Sequence, residues 1–211
     1  MAPVTDVLIV FGSGGHAKVV IEAVRARTPQ RDIVLIDDDE NAAGELILGA
    51  AVLGTRNWLL ENLLNVPVAL GIGNNGIRAS VFEWLTKADR VVETVVHPSA
   101  IVGATVDIGE GAFLAAGSVI VADSKIGRAA IINTAASVDH DCHIGEAAHV
   151  GPGAHLCGNV RIGERSLIGV GASACPGVVI GDDVIVGAGS AVISNLDHAG
   201  RYAGCPAKKI A

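Results

Sequence analysis

Residues 131–162 read IINTAASVDHDCHIGEAAHVGPGAHLCGNVRI. Ile132, Val138, Ile144, Val150, Leu156 and Ile162 fall six apart, each preceded at a distance of two by Ala130, Ala136, Cys142, Ala148, Ala154 or Val160. Worked outward, the interval runs unbroken from Val96 to Val192, and sixteen of its seventeen positions are Val, Ile or Leu. The position two before holds only Ala, Val, Ser or Cys from Ala100 to Ser190, and glycine follows the aliphatic residue nine times, as at Gly103, Gly145 and Gly187. Two inward residues flanking one outward residue make a short strand, and a residue tolerant of positive φ is expected to turn the corner after it. Three strands and three corners complete a triangular coil of 18 residues. Coils stacked at about 4.8 Å satisfy one another's backbone groups. The pattern predicts a left-handed parallel β-helix built from a hexapeptide repeat, the hand following from strands too short to impose their twist on the connections.

The preceding segment has a different texture. DVLIVFGSGGHAKVVIEAVRA predicts a buried strand at Val7 to Phe11, a glycine turn at Gly12 to Gly15 and an amphipathic helix from about His16 to Arg25. A second strand ends in Asp37, Asp38 and Asp39; further helices are expected near Trp58 to Leu63 and Ile77 to Thr86, with strands at Val68 to Gly71 and Val91 to Val95. Alternation of strand and helix implies a small Rossmann-like α/β domain over residues 1–95, followed by the β-helix and a short tail over 96–211. Gly12, Gly14 and Ala17 match GxGxxA, and Asp37 sits where an acid reaches a ribose. About ninety residues make little more than half a dinucleotide fold, so a nucleotide-linked substrate fits better than NAD. They are also too few for a nucleotidyltransferase domain.

Only 3% of residues are aromatic while 50% are hydrophobic, which suits a narrow prism filled by aliphatic side chains. A net charge of −7 argues against non-specific nucleic-acid binding. No apolar run reaches the roughly 18 residues of a membrane span, and Met1 to Asp6 lacks a basic leader, so a cytoplasmic protein is expected. Cys142, Cys157, Cys175 and Cys205 form no CxxC pair and are expected as free thiols.

The bare prism needs no histidines, yet four crowd between His140 and His155. His143, His149 and His155 each precede an inward aliphatic by one, which points them outward on three different faces. One chain therefore cannot gather them on one metal, and no metal is expected. His140 follows Val138 by two, at a corner, where a side chain can reach into a groove between subunits. Strict alternation would send Asp139 and Asp141 away from it, so its pairing with either depends on corner geometry or a neighbouring chain.

The GSGGH turn, LIDDD, GIGNNGIR, the INTAASVDHDCHIGEAAHVGPGAHLCGNVRIG run and a terminal GCPAKKI together resemble the bacterial hexapeptide-repeat sugar acetyltransferases. That family includes bacillosamine-type UDP-4-amino-sugar and perosamine N-acetyltransferases and the sialic-acid O-acetyltransferases. The resemblance implies a homotrimer with acetyl-CoA held between two β-helices and a nucleotide sugar held by the N-terminal domain. It makes His140 the general base, Asp141 the acid that orients it and Asn133 an active-site residue. Gly158 falls at a backbone N–H facing the acetyl carbonyl, and His149, Val170 and Ala188 at acetyl-CoA contacts. Gly14, Gly15, His16, Asp37, Asp38 and Gly73 fall at nucleotide-sugar contacts. The implied activity is acetyl-CoA-dependent N-acetylation of a 4-amino sugar by direct transfer; sugar O-acetylation and a non-catalytic nucleotide-binding scaffold are the alternatives.

Overall fold

The computed structural model describes residues 6–210. Two compact units divide after Pro98. In the first, β1 (Val7–Phe11), β2 (Asp32–Ile36), β3 (Leu46–Ile47), β4 (Ala50–Gly54) and β5 (Val68–Leu70) form one sheet in the order β3-β4-β2-β1-β5. All neighbours are parallel except β3 and β4. Helix α1 (Gly15–Arg27) buries Ala17, Val20, Ile21 and Val24, the spacing of one helical face. Helices α2 (Arg56–Glu61) and α3 (Asn75–Lys87) complete the unit, with Asn74 capping α3 by accepting from Ile77 N at 3.0 Å.

The strand expected at Val91 to Val95 is not continuous. Val92 makes a single bridge to Val68, and only Val95–Val96 is a strand. The chain just before it is tied down by Arg90, whose buried guanidinium donates to the carbonyls of Leu59, Leu63 and Val66. Val91, 67% exposed, turns away from the core that a full strand would have joined.

The second unit is the left-handed β-helix. Its first face carries six strands, from Ile101–Val102 to Ala191–Val192, and its second carries five, from Asp107–Ile108 to Val179–Ile180. The third runs from Phe113–Leu114 through Ile131–Ile132, His149–Val150 and Leu167–Ile168 to Val184–Val186, and is extended by Gly200–Ala203 and Lys208–Ile210. From Ile101 to Val192 the strand pairings between successive coils join residues 18 apart, for example Ile120 with Val138 and Val138 with Leu156, whereas the extension Gly200–Ala203 pairs with Val184–Val186 at 16. Among the small inward residues, buried Ser124 and Ser166 spend their hydroxyls on backbone: Ser124 donates to Asp139 O and accepts from Cys142 N, and Ser166 does the same with Gly181 O and Val184 N.

The glycines after the aliphatic residues serve a purpose other than the one expected. Positive φ falls two residues later, at every sixth residue from Gly111 to Gly189, and eight of those positions are not glycine, among them Asp123, Ala129, Asp141 and Asn159. The glycines themselves answer a steric need. Gly109, Gly127, Gly145, Gly163 and Gly181 form a column at the corner between the second and third faces. A Cβ on any of the first four would lie 2.4 to 2.9 Å from backbone atoms of the next coil.

Candidate active site

The first unit holds a cavity of about 470 Å³ lined by Gly12, Ser13, Gly14, Gly15, His16, Asp37, Asp38 and Gly73, with Phe11, Ile72 and Ile77 as apolar walls. All six residues expected to touch a nucleotide sugar line it. Gly12 opens the turn with φ +109, and a Cβ there would meet Gly71 O at 2.9 Å. Gly14 and Gly15 have nothing within 4 Å of a Cβ position, so the turn offers bare backbone to the cavity at the start of α1. A helix N-terminus of this kind favours a phosphate.

Asp37 braces the turn: its Oδ2 accepts from Ser13 N at 2.7 Å and Ser13 Oγ at 2.6 Å, and its Oδ1 accepts from Asp39 N at 3.0 Å. Partial burial opposes the charged form, but these hydrogen bonds outweigh it and hold the carboxyl below the usual range. Asp38 is paired with Arg56, whose guanidinium lies 5.8 Å from the Phe11 ring centroid and 5.3 Å from that of Trp84. Beneath the cavity Arg78 is almost wholly buried and donates to Ile72 O, Gly73 O and Asn75 Oδ1. Burial lowers Arg78 to about 10; burial and then the Arg78 charge push His16 down to about 4. His16 therefore faces the cavity as a neutral imidazole. Ser13 and Arg78 lie within the GSGGH and GIGNNGIR stretches, but no spacing in the sequence marks the roles of these two residues or of Arg56.

On the β-helix the corner between the first and second faces holds His140. Its Nδ1 lies 2.8 Å from Asp141 Oδ2. Asp141 has φ +60, which swings its carboxylate back toward the preceding residue and within reach of its ring. The hydrogen bond to Asp141, and next the charge of Asp139, raise the exposed imidazole above its ordinary pKa. With Nδ1–H donating to a carboxylate, Nε2 is left as the proton acceptor. One coil on, buried Gly158 lies against that ring: a Cβ there would come within 2.5 Å of Cε1 and Nε2.

The remaining expected residues occupy another corner, between the third and first faces. There Asn133 Nδ2 lies 2.9 Å from His149 Nε2, while Asn133 Oδ1 accepts from Thr134 N at 2.8 Å. Val170 and Ala188, 18 residues apart, stack in the same column as Thr134 and Pro152, linked by Gly153 N to Thr134 O, Gly171 N to Pro152 O and Gly189 N to Val170 O. The candidate residues thus form two clusters, His140, Asp141 and Gly158 on one corner and Asn133, His149, Val170 and Ala188 on another, with the whole first face between them. His143, His149 and His155 lie on three different sheets.

A glycine-turn cavity joined to a hexapeptide β-helix with a carboxylate-paired corner histidine defines a hexapeptide-repeat acyltransferase. The family model described as PglD N-terminal domain matches residues 7–85, and that described as bacterial transferase hexapeptide (six repeats) matches residues 159–194. A histidine variant of perosamine N-acetyltransferase from Caulobacter crescentus, solved with CoA and GDP-perosamine, is 40% identical, with a TM-score of 0.91 over 97% of this chain and 96% of that one. The acetyltransferase domain of PglB from Neisseria gonorrhoeae, solved with acetyl coenzyme A, is 37% identical, with a TM-score of 0.92 over 98% of this chain and all of that one. The UDP-N-acetylbacillosamine N-acetyltransferase of Bacillus subtilis (strain 168) is 38% identical over 110 residues, 51% of this chain and 50% of that protein, so the match spans about half the length of this curated relative. The chain belongs to the hexapeptide-repeat sugar N-acetyltransferase family of which these proteins are members. Among the described residues no helix is long and apolar enough to cross a membrane, and no group of three or more His, Cys, Asp or Glu side chains could hold a metal ion.

Proposed function

We propose that this protein transfers the acetyl group of acetyl-CoA to the 4-amino group of a nucleotide-linked sugar, UDP- or GDP-linked, as a cytoplasmic homotrimer. The observation that carries the reading is the His140–Asp141 pair at 2.8 Å with Gly158 against its ring, in a chain whose glycine-turn cavity suits a diphosphate. The sugar amine attacks the thioester carbonyl carbon, forming the C–N bond as His140 Nε2 takes the amine proton. The oxyanion that develops is stabilised by the N–H of Gly158. Collapse breaks the C–S bond, and the CoA thiolate leaves and is protonated to the thiol. No covalent acyl-enzyme is required.

The division of the candidate residues between two corners supports a trimer, because each site then draws His140 and Gly158 from one subunit and Asn133, His149, Val170 and Ala188 from the next. Two measurements test this. Release of CoA thiol should be far faster with one UDP- or GDP-linked 4-amino sugar than with CMP-sialic acid or free sialic acid; no turnover with any amino sugar sinks the N-acetyl reading. Mixing chains that carry His140→Ala with chains that carry both Asn133→Ala and His149→Ala, each inactive alone, should restore about one quarter of the wild-type sites by random assembly of trimers. Mixtures as inactive as their components would place each site within a single chain.

A further inference from the structure

One wall of the cavity in the first unit is the loop that leaves β5, where Gly71, Ile72 and Gly73 line it. The loop packs on the first turn of α1: a Cβ on Gly71 would stand 2.9 Å from Ala17 Cβ, and one on Gly73 would stand 3.6 Å from His16 Cβ. Loop and glycine turn therefore border the same space. An anion held there meets carbonyl oxygens or N–H groups according to how the peptide planes of the loop are turned.

Arg78, near the start of α3, fixes those planes. Its Nη1 donates to Ile72 O at 3.1 Å and to Gly73 O at 3.0 Å, and its Nη2 donates to Asn75 Oδ1 at 2.9 Å. The residue is only 1% exposed and does not line the cavity, so it lies behind the loop. A trans peptide holds its N–H antiparallel to its C=O, and among the described residues only the Cys205–Pro206 bond is cis. With the carbonyls of Ile72 and Gly73 turned to Arg78, the N–H groups of Gly73 and Asn74 point away from it, to the side on which the cavity lies. Neither makes a hydrogen bond among the described residues. Successive N–H groups turned to one side form a concavity for an anion. The charge behind them reaches the cavity wall, because after burial it is the second cause that pushes His16 down.

We propose that Arg78 is a positioning residue for the diphosphate of the nucleotide sugar, turning the Gly73 and Asn74 N–H groups into the cavity and setting a fixed positive charge behind them without touching the ligand. This rests on the nucleotide-sugar reading above, and adds what makes the cavity select the diphosphate. The anion is held from two sides, by the start of α1 and by this loop.

Binding to the full-length protein tests this without acetyl transfer, with UDP and GDP followed by calorimetry and the weaker uridine and guanosine by ligand-observed NMR. The wild-type chain should bind one diphosphate far more tightly than its nucleoside. Arg78→Gln should weaken that diphosphate about 30-fold, roughly 2 kcal/mol, and leave the nucleoside within about twofold. Arg78→Lys, which keeps the charge but loses the planar fork, should fall between. A merely structural role would weaken diphosphate and nucleoside alike. A second arm leaves the buried cation in place: Asn74→Pro and Asn74→Ala both remove the side chain that caps α3, but only proline removes the N–H, and φ −70 at this position suits it. Asn74→Pro should bind the diphosphate about tenfold more weakly than Asn74→Ala. Equal affinities in that pair, or an Arg78→Gln chain that loses nucleoside and diphosphate equally, overturns the role of Arg78 and leaves the cavity reading standing. A wild-type chain that binds neither diphosphate more tightly than its nucleoside overturns both.

Discussion

Replacing Gly158 with Ala isolates one contact. The added Cβ would stand 2.5 Å from Cε1 and Nε2 of His140 and 3.1 Å from Nδ1. Carbon atoms in contact need about 3.6 Å, so the imidazole must retreat by roughly 1 Å. A base displaced that far from its productive position costs about 10²-fold in rate, close to 2.7 kcal/mol of transition-state stabilisation. The backbone is spared: Gly158 is not among the residues with positive φ, its carbonyl still accepts from Gly177 N at 3.0 Å, and the N–H proposed to face the oxyanion is retained. Thermal unfolding and the oligomeric state in sedimentation should therefore stay close to wild type while kcat/KM, followed by CoA thiol release, falls. The double variant His140→Ala with Gly158→Ala should be no slower than His140→Ala alone, because the glycine acts through the ring. A Gly158→Ala enzyme within threefold of wild type, or a double variant slower by a further two orders of magnitude, would refute the reasoning.

Asp141→Asn removes the main cause that raises His140, so the imidazole returns toward its ordinary value near 6.5. Because the unprotonated base is the active form, the acid limb of the kcat/KM profile should move to lower pH, with a plateau lower by about tenfold or more from the weaker base; a limb that stays or moves upward would show that Asp141 does not set the titration. Gly145→Ala places a Cβ 2.6 Å from Glu164 N and Gly163 C, both backbone, and should lower stability by about 1–3 kcal/mol in denaturant titrations; an unchanged midpoint would count against the coil-stacking role of the glycine column. At Gly14 a Cβ meets nothing within 4 Å in the folded chain, and the extended backbone angles there suit the substitution Gly14→Val. It should leave the melting temperature alone and raise KM for the nucleotide sugar about tenfold, ~1.4 kcal/mol, with KM for acetyl-CoA unmoved. Equal effects on both substrates would place the sugar elsewhere.

The β-helix was legible because its side-chain arithmetic is local. A residue's place in the six-residue interval decides whether it points inward, and no loop upsets the count between Val96 and Val192. The same arithmetic placed His143, His149 and His155 on separate faces and His140 at a corner. It misled over the glycines, because a one-dimensional pattern shows which residue follows the strand but not which residue bends; the clash that selects Gly145 is with Gly163 and Glu164 of the next coil. It also left open whether Asp141 reaches His140, since alternation describes strands and the answer lies in a left-handed φ. In the first unit the glycine turn and its acids could be read, but the buried Arg78 could not. A buried guanidinium that donates to two carbonyls of the loop before its helix leaves no periodic trace.

The 18-residue coil also sets how chemistry can be placed on such a fold. A side chain on a prism acts on what lies in its own column or beyond the corner, and no internal loop exists to bring distant columns together. His140 recruits Gly158 because 18 residues separate them, and Val170 recruits Ala188 for the same reason. His149 can meet Asn133 because one sits on the third face beside the corner that holds the other. No such relation joins His140 to Asn133, whose columns are separated by the full width of the first face. A prism whose reaction uses both must obtain one of them from outside itself, so under the proposed mechanism a second subunit is a condition of assembling the site rather than an addition to a finished one.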